Sequence, residues 1–457
     1  MLKLLTQYAC QSCGAIFPRW QGQCATCEEW NTLEEEQVAK SPKSLPLMLA
    51  KKERVPIALK DVIVGDELAF PTGISELDHV LGGGLIKGSA TLLGGEPGIG
   101  KSTLSLQVAQ HLAISGLRVL YVSGEESVGQ LHMRAARVGQ VHPNLMVYAE
   151  LDILKIIQAL RTTKPDVVIL DSIQVVFHPG IASVSGTVNQ VRQCAQELIT
   201  YVKEQDMAVV LIGHITKDGQ LAGPKVLEHI VDVILYLEGE RDQHYRLLRC
   251  FKNRFSTTSE IGIFEMKPTG LEGIANPSGL FMDERTLNSP GALVSALSEG
   301  SRVLLVEIQA LVVDSGYGMA KRTFLGVDIN RANLMIAALE KLLGFRLSTK
   351  DIILNVVGGI KIIEPALDLA MMLAIVSSLK DQSVGQKVGF FGEVGLTGEI
   401  RPVSNAEKRV LELEKMGFDY VMLPEKNHSA CQGKQIKPIY VSHVREAVTY
   451  FLRGFEG

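Results

Sequence analysis

From about residue 58 to 275, apolar positions gather into short β-branched runs separated by longer amphipathic stretches. TLLGGEP, RVLYVSG, DVVILDS, AVVLIGH and DVILYLE read as strands, and STLSLQVAQHLAIS and VNQVRQCAQELITYVKEQ read as helices between them. Strands apolar on both faces and alternating with helices predict a mostly parallel sheet in a doubly wound α/β domain. HYRLLRCFKNRFS is a further strand-like run that ends in two cations.

A second α/β pattern begins near residue 276. SRVLLVEIQALVV, DIILNVVGGIKI and KVGFFGEVGL read as strands, and ANLMIAALEKLLG, ALDLAMMLAIVSSL and NAEKRVLELEKMG as helices. Between the two patterns, GLEGIANPSGLFMDERTLNSPG has the Gly, Pro and Asn content of a connector. The amino end follows neither pattern. Cysteines dominate residues 1–33, and residues 34–57 are charged, Pro-punctuated and without periodicity, which reads as a linker. The expected organisation is a four-Cys module at 1–33, a linker at 34–57, a first α/β domain at 58–275 and a second at 276–457.

Composition narrows the function classes. With 457 residues and a formal charge of −4, the chain has room for two or three cores and no global field for a polyanion, so local basic loops would have to meet one. No run of 18 apolar residues and no secretory leader are found, so a membrane span is not expected. Of seven cysteines, Cys10, Cys13, Cys24 and Cys27 cluster while Cys194, Cys250 and Cys431 are scattered. An odd total with one tight cluster points to a metal site in a reducing compartment, and a cytoplasmic protein is expected.

Two CxxC pairs ten residues apart place four thiolates for a tetrahedral Zn²⁺ with no position left for a catalytic water. Arg19 and Trp20 between the pairs leave contact with protein or nucleic acid open. Gly95, Glu96, Pro97, Gly98, Ile99, Gly100, Lys101 and Ser102, with Thr103 next, fit GxxxxGK[ST] between a strand and a helix. Backbone N–H groups there cradle the phosphates of ATP, Lys101 bridges them, and Ser102 holds Mg²⁺. Asp171 ends an apolar strand and suits Mg²⁺ through water. Glu125 and Glu126 end another strand, where either can orient and deprotonate the attacking water. The same S-G-E-E-S run also suits a helix start.

His214 and Thr216 follow the strand AVVLI, where they can sense a γ-phosphate. The cationic loop KDGQLAGPK, with Lys217 and Lys225, reads equally well as a DNA-facing loop or a solvated one. Residues 178–190 form a second long polar loop, of a length that usually marks either function or disorder. Lys252 and Arg254 stand about 150 residues beyond the P-loop. They can reach a neighbouring subunit's γ-phosphate in trans, contact a DNA backbone, or form an ordinary exposed basic turn. Residue type alone favours the last.

The order of these motifs changes that balance. CQSCG with Trp20 and EEWNTL, then FPTGISELDHVLGGGL, GEPGIGKST and KNRFS, resembles over essentially the whole chain the bacterial RadA (Sms) family of DNA repair and recombination proteins. The resemblance implies a zinc finger, a RecA-like ATPase core and a Lon-protease-like C-terminal domain. It also implies a DNA-dependent ATPase that acts on branched recombination intermediates. Such proteins form ring hexamers with helicase-like movement on single-stranded DNA, and recombinase or replication and repair proteins are their partners. Lys252, Asn253, Arg254 and Phe255 match the family hallmark, whose last glycine is Ser256 here. A turn needing φ > 0 at that position would make serine costly. Against the Lon-type protease pattern, Ala366 stands for the nucleophile and Glu407 for the lysine, with Lys408 one residue off. Without a nucleophile there is no acyl-enzyme, so the domain reads as a scaffold, with Lys341, Arg346, Lys350 and Lys361 as candidate DNA contacts. Two rival classes remain: a clock-like or signalling RecA-fold ATPase indifferent to DNA, and an active ATP-dependent protease.

Overall fold

The computed structural model describes residues 4–10, 15–39, 69–181, 183–213, 226–239, 245–274, 277–280, 289–316, 320–357, 364–385 and 387–454. The chain divides into two compact units, Met1–Gly273 and Ile274–Gly457.

At the amino end, Leu4–Cys10 pairs antiparallel with Ile16–Phe17 and with Leu33–Ala39. The linker expected from residue 34 therefore starts later: Glu34 to Ala39 continue a strand in full register with Leu4 to Ala9. The acidic run LEEEQVA hides its strand character because edge pairing needs no buried face on both sides.

The next domain is built on a nine-stranded sheet. Leu145–Ala149, Val119–Ser123, Val167–Asp171, Ala208–Ile212, Ala90–Gly95 and Val233–Glu238 lie side by side in that order, all parallel. Tyr245–Asn253, Ile261–Lys267 and Gly270–Gly273 then extend it antiparallel. Gly270–Gly273, expected in the connector, closes this sheet instead. The central strands are buried along their whole length, because helices cover both faces. Helices Ser75–Leu81, Lys101–Ile114 and Val128–Val138 contribute to one core with Leu93, Tyr121 and Ile169. Ile153–Thr163 and Val188–Glu204 contribute to the other, with Leu92, Val168 and Leu211. Each core holds the alternate residues of the same strands, as period-two geometry requires.

The strand Tyr245–Asn253 carries a β-bulge. Leu235 faces Cys250 and Ile234 faces Lys252, so Phe251 is an extra residue; its ring packs edge-on against Tyr236 at 4.5 Å.

The second unit has a seven-stranded mixed sheet in the order Arg322–Leu325, Lys350–Val356, Arg302–Asp314, Ala292–Glu299, Val388–Phe390, Tyr420–Pro424 and Lys437–Val441. Helix Asp368–Lys380 is buried along most of its length. Helix Ala406–Lys415 packs Ala406, Val410 and Leu413 against Val294, Ala296 and Leu305.

Candidate active site

The P-loop joins Ala90–Gly95 to Lys101–Ile114. Its last glycine, Gly100, has φ 117°, and a Cβ there would stand 2.7 Å from Met266 Cε, so only glycine fits. Lys101 is buried, and its Nζ donates to Gly95 O at 2.8 Å and Glu96 O at 2.9 Å. Burial lowers its pKa to about 8, against the opposing pull of Asp171, Glu125 and Glu96. The ammonium is thus held inside the loop whose amides would bind phosphate.

The parallel order brings the carboxylates to the same end. Val119–Ser123 lies directly beside Val167–Asp171, so Gly124 N donates to Asp171 O at 2.7 Å. Asp171 Oδ2 accepts from Tyr121 Oη at 2.7 Å. Burial, and then the neighbouring Asp171 charge, raise the Tyr121 pKa well above its ordinary value, so the phenol stays a donor. Glu125 Oε1 accepts from Ser172 Oγ at 2.6 Å. Glu126 Oε2 pairs with Arg134 Nη2 at 2.9 Å, and the same nitrogen lies 3.9 Å from Asp171 Oδ2. The helix start is handled by a different residue: Ser127 is the N-cap of Val128–Val138 and forms a capping box with Gln130. Glu125 and Glu126 therefore precede the helix.

The carboxyl-terminal hairpins brace the loop. Arg246, on Tyr245–Asn253, is buried and donates from Nε to Ile99 O at 3.2 Å. Gln107 bonds Leu271 both ways, with Nε2 to Leu271 O at 3.2 Å and Leu271 N to Oε1 at 2.9 Å. No motif announced Tyr121, Arg134, Ser172 or Arg246. Their partners lie far off in sequence, and only the register of the sheet brings them together.

Lys252 and Arg254 are not at this end. Thr91, at the start of the P-loop strand, aligns with Val233, which aligns with Asn253. The turn is thus four strand residues, about 13 Å along the strands, from the level of Gly95 and at the opposite end of the strands. Lys252 Nζ donates to Glu228 O at 2.6 Å and Val231 O at 2.8 Å, fastening the end of helix Val226–Ile230. Arg254 is 55% exposed and pairs with Asp232 at 3.2 Å. Asp232 is buried and also binds Lys203 Nζ and Ala90 N. Asn253 Oδ1 accepts from Phe255 N and Ser256 N, which closes the turn. Ser256 does not have positive φ, so serine there carries no left-handed strain. It packs where a Cβ on Gly82 would collide with its Oγ.

The loop at 178–190 is tied by one buried side chain. Gln190 Oε1 accepts from His178 N, and its Nε2 donates to Ile181 O and Ser183 O. Val184 is exposed near the tip, and the loop contains no Lys or Arg.

Cys10, Cys24 and Cys27 bring their Sγ atoms within 4.8 Å of one another, with Cys10 and Cys27 at 3.6 Å. Soft thiolates converging this closely fit zinc. Cys13, His214, Thr216, Lys217, Lys225 and Lys361 lie outside the described residues. Ala366 is buried, and its carbonyl accepts from Gly392 N at 2.7 Å. Glu407 and Lys408 lie in the first turn of Ala406–Lys415, and Lys408 Nζ donates to Ser301 O at 3.2 Å. Among the described residues no helix is long and apolar enough to cross a membrane.

Comparison with known proteins agrees with this division. Residues 8–35 match the family described as a rubredoxin metal binding domain, 53–220 that of an AAA domain, and 329–427 that of subunit ChlI of Mg-chelatase. The DNA repair protein RadA of Bacillus subtilis is 43% identical over 99% of this chain and 100% of its own length. That of Listeria monocytogenes is 43% identical over 98% of each. That of Brucella abortus is 47% identical over 93% of this chain and 92% of its own. A zinc ribbon, an AAA/RecA-like ATPase domain and a ChlI-type domain follow one another in a mixed α/β chain, and the chain belongs to the RadA family of DNA repair proteins.

Proposed function

We propose that this chain is a DNA-dependent ATPase of recombinational repair. It processes branched intermediates by helicase-like movement on single-stranded DNA, as a ring of six copies in the cytoplasm. The observation that carries the assembly is the placement of the cation turn at the end of the sheet opposite the P-loop. Arg254 faces solvent at that end, out of reach of its own nucleotide, so the phosphate it would stabilise belongs to a neighbouring copy. Lys252 has a different task here, because its ammonium already fastens the helix Val226–Ile230.

Lys101 and the backbone of Gly95 to Thr103 hold the phosphates, Ser102 and Asp171 hold Mg²⁺, and Glu125 or Glu126 orients the water. Bound Mg²⁺ would neutralise charge developing on the phosphoryl oxygens. Cys10, Cys13, Cys24 and Cys27 hold Zn²⁺ as a folding element. The Lon-protease-like domain is a scaffold without proteolysis, since Ala366 supplies no nucleophile. The experiment is ATP turnover with and without single-stranded DNA, with Lys101→Ala as the blank. A rise with DNA that Arg254→Ala removes, and that returns on mixing Arg254→Ala with Lys101→Ala subunits, is expected. A rate indifferent to DNA would instead make the protein an ATP-driven scaffold or signalling ATPase.

A further inference from the structure

Three carboxylates, Asp171, Glu125 and Glu126, gather at the ends of two adjacent strands, and their partners sort them. Glu125 is turned toward the site by the Ser172 hydroxyl, on the residue that follows Asp171. Glu126 is instead paired with Arg134 in the second turn of Val128–Val138. Its backbone is fixed as well: Glu126 N donates to Ser123 Oγ at 3.0 Å, and Ser123 Oγ donates to Glu126 O at 2.9 Å. Arg134 is largely buried and stands between Glu126 and Asp171.

From this geometry we propose that Arg134 is a positioning residue: it withdraws Glu126 from the reaction, leaves Glu125 to orient the attacking water, and separates Glu126 from the metal-binding carboxylate Asp171. The rigid, always charged guanidinium holds that one nitrogen between the two carboxylates. If Arg134 is lost, Glu126 becomes an uncompensated carboxylate near Asp171. It then competes for the cations that the phosphates and Asp171 need. The damage in an Arg134 variant should therefore run through Glu126, and removing the charge of Glu126 should relieve it.

The inference rests on this end of the sheet being the ATP site, so the first readout is binding of a fluorescent ATP analogue to the full-length chain. Failure of the wild-type protein to bind it, with Lys101→Ala no different, would overturn the ATPase reading itself. Given binding, four variants are compared: Glu125→Gln, Glu126→Gln, Arg134→Ala and the double variant Arg134→Ala/Glu126→Gln. Glu125→Gln should bind the analogue and lose turnover on the order of a hundredfold, as loss of a general base does. Glu126→Gln should lose less than about tenfold, and Arg134→Ala should lose more than about tenfold, with the double variant recovering to the level of Glu126→Gln; such non-additivity is what a shared pathway produces. The Mg²⁺ concentration that half-saturates analogue binding should rise in Arg134→Ala and return in the double variant. A double variant no better than Arg134→Ala, or Glu126→Gln as inactive as Glu125→Gln, would overturn the proposal. An unchanged Mg²⁺ midpoint in Arg134→Ala would do so too. Arg134→Lys keeps the charge if the alanine variant fails to fold, and should fall between wild type and Arg134→Ala in both readouts.

Discussion

Asp171 and Glu125 in one compact unit and Asp368 and Glu364 in the other are held in different ways. At the nucleotide end of the nine-stranded sheet, Asp171 and Glu125 accept from the hydroxyls of Tyr121 and Ser172. In Ile274–Gly457, Asp368 takes the guanidinium fork of Arg331 and also accepts from Val394 N at 3.0 Å. Burial pushes the Asp368 carboxyl up and Arg331 pulls it back. Glu364 takes the fork of Arg409, a fully buried guanidinium that also donates to Ala296 O and Ser404 O. A bidentate guanidinium fills acceptor positions and fixes geometry, and burial then makes each partner hard to remove. A hydroxyl orients a carboxylate without neutralising it, so charge remains for a cation or a proton. The first arrangement builds a domain. The second can do chemistry.

If that contrast is right, Asp171→Asn should cost turnover on the order of a hundredfold, as loss of a group acting through a metal's water shell does. It should leave the melting temperature near that of the wild type, because the amide oxygen still accepts from Tyr121. Turnover and differential scanning calorimetry on one preparation check both halves. Arg409→Ala should do the reverse. It leaves Glu364 without its fork, at a cost of about 3–5 kcal/mol, or roughly 10 °C in the melting of that unit, followed by calorimetry.

The smallest effect concerns Lys101. Its pKa falls on folding, so the unliganded fold gains stability as pH rises through about 8, where the buried ammonium gives up its proton. Phosphate needs the charged form, so nucleotide affinity moves the opposite way. Between pH 7 and pH 9 it should weaken by about tenfold, with a proton taken up on binding; titration calorimetry in buffers of different ionisation heat measures both. Lys101→Arg should flatten the pH dependence, since guanidinium stays charged throughout.

The P-loop was legible because its chemistry is contiguous: the glycines, Lys101 and Ser102 lie within eight residues, on a strand–loop–helix pattern that apolar periodicity alone reveals. The parallel sheet was legible for the same reason, since VVILD and AVVLI carry their burial on both faces. What distinguishes Glu125 from Glu126 was not. Ser172 and Arg134 decide it, and neither is marked by a local pattern. Arg246 meets Ile99 across 147 positions, and only strand register brings them together. The expected linker failed at Leu33–Ala39 because a charged edge strand has no apolar alternation to show. The cysteine spacing was readable, since a metal site imposes its geometry on short, nearby segments.

The bulge at Phe251 has a consequence for how this turn is inherited. Side chains along a strand alternate between faces, so one extra residue reverses the facing of everything that follows it until the strand ends. Lys252 comes directly after that residue, and the strand ends at Asn253. Deleting Phe251 would leave the letters of the cation turn intact and exchange the face of Lys252, sending the ammonium away from Glu228 and Val231. The turn is therefore specified by parity as well as by spelling: an odd insertion or deletion in Tyr245–Asn253 would disable it silently, and a compensating pair would restore it.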